Sequence, residues 1–252
     1  MCGRYTLTAS PEAVRNFFRY AERPNFPPRY NIAPTQPIAV VRLINGQRQF
    51  ALMRWGLLPS WVKDPKSFSL IVNARGESVI DKPAFRSAMK RRRCLIPADG
   101  FYEWKAGSPR KQPYYIHARS GEPLALAGLW ETWTGPNGEE LDTVAIVTTD
   151  ANRTVNPLQD RMPVIVPPEA FDLWLDSDHV DATTAAALIM PAPDSLLEVW
   201  PVSTDVNRVA NDNAHLTEQV AEGAEPAPPP KGTAAKKPKA AKPNDDGQGL
   251  LF

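Results

Sequence analysis

The chain has 252 residues, 42% of them hydrophobic, so it can bury a sizeable core, and its length allows one large domain or two small ones. Its only cysteines, Cys2 and Cys94, exclude a disulfide framework and a cysteine-based metal site, and no apolar run is long enough to span a bilayer. The net charge of +1 conceals a polarised chain, with 21 Lys and Arg against 7 Asp and Glu in residues 1–120 and 8 against 21 in the remainder.

In chain order, Ser10-Pro11-Glu12 reads as an N-cap followed by proline in the first helical turn. Val14, Phe17 and Phe18 supply the apolar face of a helix to about Tyr20. Short strands are expected at 38–43, 50–55, 70–74, 94–97, 101–105, 114–118, 124–130, 143–149 and 163–166, separated by Pro, Gly and Asn turns. The GPNGEE stretch at 135–140 marks a hairpin turn, and further helices are expected at 83–91, 168–176 and 181–189. Many short strands with few helices predict an α+β chain built on a curved, largely antiparallel sheet or barrel. From about Glu222 the composition turns to Pro, Ala and Lys, which predicts a disordered tether over 222–252 after a domain spanning 1–221. No cofactor or metal is expected, and the polar residues after Met1, with no apolar signal core, place the protein in the cytoplasm.

Cys2 has a chemistry that an internal cysteine lacks. Trimming of Met1 is usual before a small side chain, and it would leave an α-amine and a thiol on one residue. With ordinary pKa values of about 7.7–8.0 and about 8.5, both groups are partly nucleophilic near neutral pH. An aldehyde suits them, because the amine can form an imine and the thiolate can close onto the same carbon as a five-membered thiazolidine. The positive charge of the first half, including the run Lys90, Arg91, Arg92 and Arg93, suits a polyanion such as nucleic acid. It suits equally a fold in which the basic half packs on the acidic half.

Several stretches carry more polar and aromatic detail than a core requires. RWGLLPSW at 54–61 sets Trp55 and Trp61 around a proline turn, VNARGES at 72–78 puts Asn73, Arg75 and Glu77 near a strand end, and ADGFYEW at 98–104 sets Glu103 between aromatics. Together with MCGRY at 1–5, RYNIAPTQ at 29–36, RCLIPADGFYEW at 93–104, AGLWETW at 127–133, IVTTDAN at 146–152 and RMPVIV at 161–166, they resemble the SOS response-associated peptidase (SRAP) family, the abasic-site-crosslinking proteins. The resemblance spans roughly Cys2 to Asn213 with the motifs in the family's order. It implies one compact α+β domain with a barrel-like β core, peripheral helices and a positive groove for a single DNA strand.

The resemblance also implies roles. Cys2 would crosslink to the ring-opened sugar of an abasic site in single-stranded DNA. Asn73 matches the family's active-site asparagine and Glu103 its catalytic glutamate, a carboxylate able to shuttle protons in both directions. Arg4, Arg75 and Arg161 match phosphate-contacting positions, and Pro34 and Trp61 match residues that wedge or stack against unpaired bases. Gln159 stands where the family usually has a histidine, and an amide cannot titrate as an imidazole does. His117, His179 and His215 do not occupy that position. Two other functions are compatible with these residues: an N-terminal-nucleophile cysteine peptidase, and a non-covalent single-stranded DNA binding module. At the far end, Gln248, Leu251 and Phe252 resemble the Q-x-x-L-F peptides that dock on the replication sliding clamp, while oligomeric state defaults to a monomer.

Overall fold

In the computed structural model, residues 2–105 and 111–222 are described. The expected tail and its terminal Gln248, Leu251 and Phe252 lie outside the described residues, apart from Glu222. The architecture is the expected α+β one, a closed five-stranded barrel against which a second five-stranded sheet packs.

The barrel runs β3 (Pro37–Ile44), β4 (Gln47–Trp55), β6 (Arg93–Ala98), β9 (Leu124–Thr134) and β10 (Glu140–Asp150), with β10 pairing both β9 and β4 to close the circle. Asn45 and Gly46, both at positive φ, form the two-residue turn between β3 and β4 that the right-handed strand twist favours. Closure is the one place where the barrel abandons antiparallel pairing: Thr143 and Val144 lie parallel to Arg54 and Trp55. Further along β10, β5 (Asn73–Arg75) adds in parallel and β11 (Arg161–Pro163) in antiparallel fashion. The strand expected at 70–74 is therefore shifted, and only its polar end enters the sheet.

The second sheet has the order β12 (Leu197–Pro201), β8 (Pro113–Ala118), β7 (Gly100–Trp104), β1 (Tyr5–Leu7), β2 (Arg29–Ile32). Three of these strands, β1, β2 and β12, have no counterpart among the expected ones. Each is short or interrupted by polar residues and proline, so its strand character comes from its partners rather than from its own pattern. Tyr5, Leu7, Phe101 and Ile116 on one face join the main core, while Tyr102, Tyr115, Val202, Val206 and Leu216 build a smaller cluster on the other.

The helices are peripheral. In α1 (Pro11–Phe18), Ser10 Oγ accepts the Ala13 amide hydrogen at 3.2 Å, and the helix stops at Arg19 in the left-handed conformation. The helix expected at 83–91 is α2 (Pro83–Arg91). The two later helices are shorter than expected, α3 (Phe171–Leu175) after a 3₁₀ turn and α4 (Ala182–Ala186), capped by Asp181. No described helix is long and apolar enough to cross a membrane.

Candidate active site

The chain enters the fold through residue 2. Because β1 is gripped between β2 and β7, the segment just ahead of it is drawn inside, and Cys2 is 0% exposed. Its Sγ approaches the Arg4 carbonyl at 3.8 Å, and its own carbonyl accepts a hydrogen bond from Asn73 Nδ2 at 2.8 Å. Asn73 opens β5, where parallel pairing sets it opposite Ile146 of β10. Asn73 Oδ1 is buried without a partner among the described residues, so one end of the amide holds residue 2 and the other remains an open acceptor.

Glu103 arrives from the second sheet. Phe101 faces the main core, and strand alternation turns Glu103 to the same side. The residue is 2% exposed, and burial pushes its carboxyl pKa up to about 7. Gln159 opposes the rise by favouring the charged form, and the charge of neighbouring Asp160 adds to it. Gln159 Oε1 accepts the Asp160 backbone N–H at 3.2 Å.

Burial, reinforced by the Glu103 charge, drives the Cys2 thiol well above the ordinary range. With Met1 in the chain, the sulfur is held protonated within electrostatic reach of the Glu103 carboxyl. Cys2, Asn73, Glu103 and Gln159 thus meet in one place, delivered by the N-terminal segment, β5, β7 and the loop between β10 and β11.

The residues expected to contact nucleic acid are more dispersed. Arg75 is exposed at the end of β5, and Trp61 is 58% exposed with its ring edge-on to Phe68 at 5.7 Å. Pro34 is half-buried in a turn whose next residue, Thr35, has φ +75°. Arg4 and Arg161 are engaged within the protein. Arg4 Nη1 donates to Asn31 Oδ1 at 2.7 Å and to the Val206 carbonyl at 2.6 Å. Arg161 is paired with Glu77, with Asp150 at 2.8 Å and with the Thr148 carbonyl at 2.9 Å. Asn31, not among the residues expected at the site, is wholly buried and donates to the carbonyls of Arg208 and Asn211 at 3.0 and 2.8 Å, fixing the segment that holds Arg4. In the sequence it is a polar side chain between Tyr30 and Ile32, within the RYNIAPTQ stretch.

The family model described as SOS response associated peptidase (SRAP) matches residues 1–209. Abasic site processing protein YoqW of Bacillus subtilis is 36% identical over 86% of this chain and 99% of its own length. Abasic site processing protein HMCES of Xenopus tropicalis is 32% identical over 84% of this chain and 76% of its own length. Among solved structures, a Bacteroides thetaiotaomicron protein superposes with a TM-score of 0.76 at 23% identity, over 87% of this chain and all of that one, a likeness of fold. A phage-related protein of Bordetella bronchiseptica superposes with a TM-score of 0.65 at 33% identity, over 80% of this chain and 94% of its own.

Proposed function

Because the chain belongs to the SOS response associated peptidase (SRAP) family, we propose that it recognises abasic sites in single-stranded DNA and crosslinks to them through a thiazolidine at residue 2, shielding the lesion during replication. The observation that carries this reading is the convergence on Cys2 of an anchoring amide, Asn73, and a carboxyl poised near neutrality, Glu103.

The chemistry balances with these groups alone. Removal of Met1 frees the α-amine of Cys2, which adds to the C1 aldehyde of the ring-opened sugar. Glu103 in its acid form protonates the departing hydroxyl, and water leaves an iminium. Now a carboxylate, Glu103 takes the proton of the thiol as sulfur bonds to the same carbon. An aldehyde and an aminothiol thereby become a thiazolidine and one water. A carboxyl raised toward neutrality by burial can serve both steps, while Gln159, which cannot titrate, favours its charged form.

Asn73 fixes the residue 2 carbonyl, and its open Oδ1 accepts from the amine or a sugar hydroxyl. Exposed Arg75 and Trp61 are suited to meet a phosphate and a base directly, and Pro34 to wedge between bases. Arg4 and Arg161 would act largely by bracing the strands around the site. At the C terminus, Gln248, Leu251 and Phe252 are proposed to dock on the sliding clamp.

Intact mass spectrometry after mixing with an abasic single-stranded oligonucleotide tests the central reading. The expected result is an adduct one water lighter than the sum of its parts, lost in Cys2→Ala and retained in Cys94→Ala. Release of a peptide without DNA attachment would instead indicate hydrolysis, and an adduct that survives Cys2→Ala would remove residue 2 from the reaction.

A further inference from the structure

We propose that Trp55 is a positioning residue for crosslinking: its indole ties the strand that presents Asn73 to the strand that presents residue 2. The proposal rests on the thiazolidine reading.

Trp55 closes β4 and is wholly buried. Its indole Nε1–H donates to the Val72 carbonyl at 3.0 Å, immediately ahead of Asn73, whose Nδ2 holds the Cys2 carbonyl at 2.8 Å. The other side of the circuit runs through Tyr5, which meets the Trp55 ring edge-on with centroids 5.4 Å apart and planes at 70°. Residue 2, Asn73, Val72, Trp55 and Tyr5 therefore form a closed ring of contacts, and the short chain from Tyr5 leads back to residue 2.

The backbone of Trp55 serves the DNA side. Its carbonyl accepts the Thr35 N–H at 2.8 Å, and its N–H donates to the Gln36 carbonyl at 2.9 Å. These bonds hold Thr35 at φ +75°, a conformation a non-glycine residue keeps only when its surroundings fix it, and thereby hold the turn that carries Pro34. The side chain thus orients the nucleophile while the main chain orients the base wedge. Replacing the side chain should separate the two, slowing the chemical step and sparing DNA affinity.

A buried indole needs a hydrogen-bond partner wherever it lies, so the test requires a matched control. Trp174 provides it, since it is equally buried and its Nε1–H donates to the Cys94 carbonyl at 2.8 Å, in a part of the barrel wall remote from Asn73 in sequence and pairing. Trp55→Phe and Trp174→Phe are compared in the full chain by melting temperature, affinity for undamaged single-stranded DNA, and the rate of adduct formation at saturating abasic DNA. Both should melt lower. Trp55→Phe alone should crosslink about tenfold or more slowly, at an affinity within about twofold of the unmodified protein, because small misplacement of reacting groups is costly in rate. Equal rates in both variants would overturn the proposal. Absence of any adduct with the unmodified protein would instead refute the thiazolidine reading itself. If Trp55→Phe does not fold, benzothienylalanine at position 55 keeps the bicyclic shape without the N–H donor, and the same comparison of rates decides.

Discussion

Glu103 carries opposed demands. A pKa of about 7 against an ordinary 4.5 means that the folded state binds a proton which the unfolded state has released between those values. Over that window stability falls as pH rises, by roughly 3 kcal/mol once both states are ionised. Glu103→Gln, neutral at every pH, should therefore stabilise the protein at pH 8 by up to about 3 kcal/mol in urea titrations and confer almost nothing at pH 4.5. The same substitution should slow crosslinking roughly 10²–10⁴-fold by removing the proton shuttle. A stability gain independent of pH would show that the carboxyl is not held in its acid form by burial. Glu103 in FYEW and Asn73 in NAR are singled out through the family resemblance, and both lie near Cys2 in the fold. What the sequence did not disclose was the burial of Cys2 and Glu103, because burial comes from a sheet whose strands β1, β2 and β12 carry no pattern of their own. Asn31 stayed hidden for a related reason, since the carbonyls to which it donates lie about 180 residues away.

Among the elements, the basic run that ends α2 and opens β6 divides by position. Arg93 is buried, and its guanidinium donates to the carbonyls of Met89, Trp174, Asp176 and Val180 at 2.5–2.9 Å, closing the ends of α2 and α3. Arg92 pairs with Glu131 at 3.1 Å and lies over the Trp130 ring, whereas exposed Arg91 reaches Ser87 of its own helix. Arg93→Met should strand several carbonyls and cost about 3–5 kcal/mol, while Arg91→Met should stay within about 0.5 kcal/mol, both read from urea midpoints. Equal costs would mean that the buried guanidinium is replaceable by apolar packing. Helix α2 was legible to the residue, because Pro83 opens it and its apolar spacing is regular. The parallel seam of β10 with β4 and β5 was not legible, since nothing local in either strand states the direction of its neighbour.

Across the whole molecule, part of the charge polarity of the chain is discharged within the fold. Arg29–Asp212, Arg42–Asp142, Arg48–Asp172, Arg92–Glu131 and Lys105–Glu222 each join the basic first half to the acidic second. Exposed Arg75 takes part in none of these pairs. The last described residue, Glu222, is held by Lys105 at 3.0 Å and Tyr114 at 2.6 Å, so removal of 223–252 cuts the chain just beyond a fixed point. That truncation should leave the rate of crosslinking to free abasic DNA within about twofold and abolish heat of binding to the cognate sliding clamp in calorimetry. Clamp binding that persists without the tail would transfer that contact to the domain. The placement of β1 between β2 and β7 has a further consequence, one of timing. Tyr5 pairs with Phe101, so residue 2 cannot be enclosed until about one hundred residues have been made. At 5–20 residues per second that leaves roughly 5–20 s in which a trimming enzyme can reach Met1 on the nascent chain. After that the sheet encloses residue 2, and chemistry at its sulfur requires β1 to loosen from its neighbours.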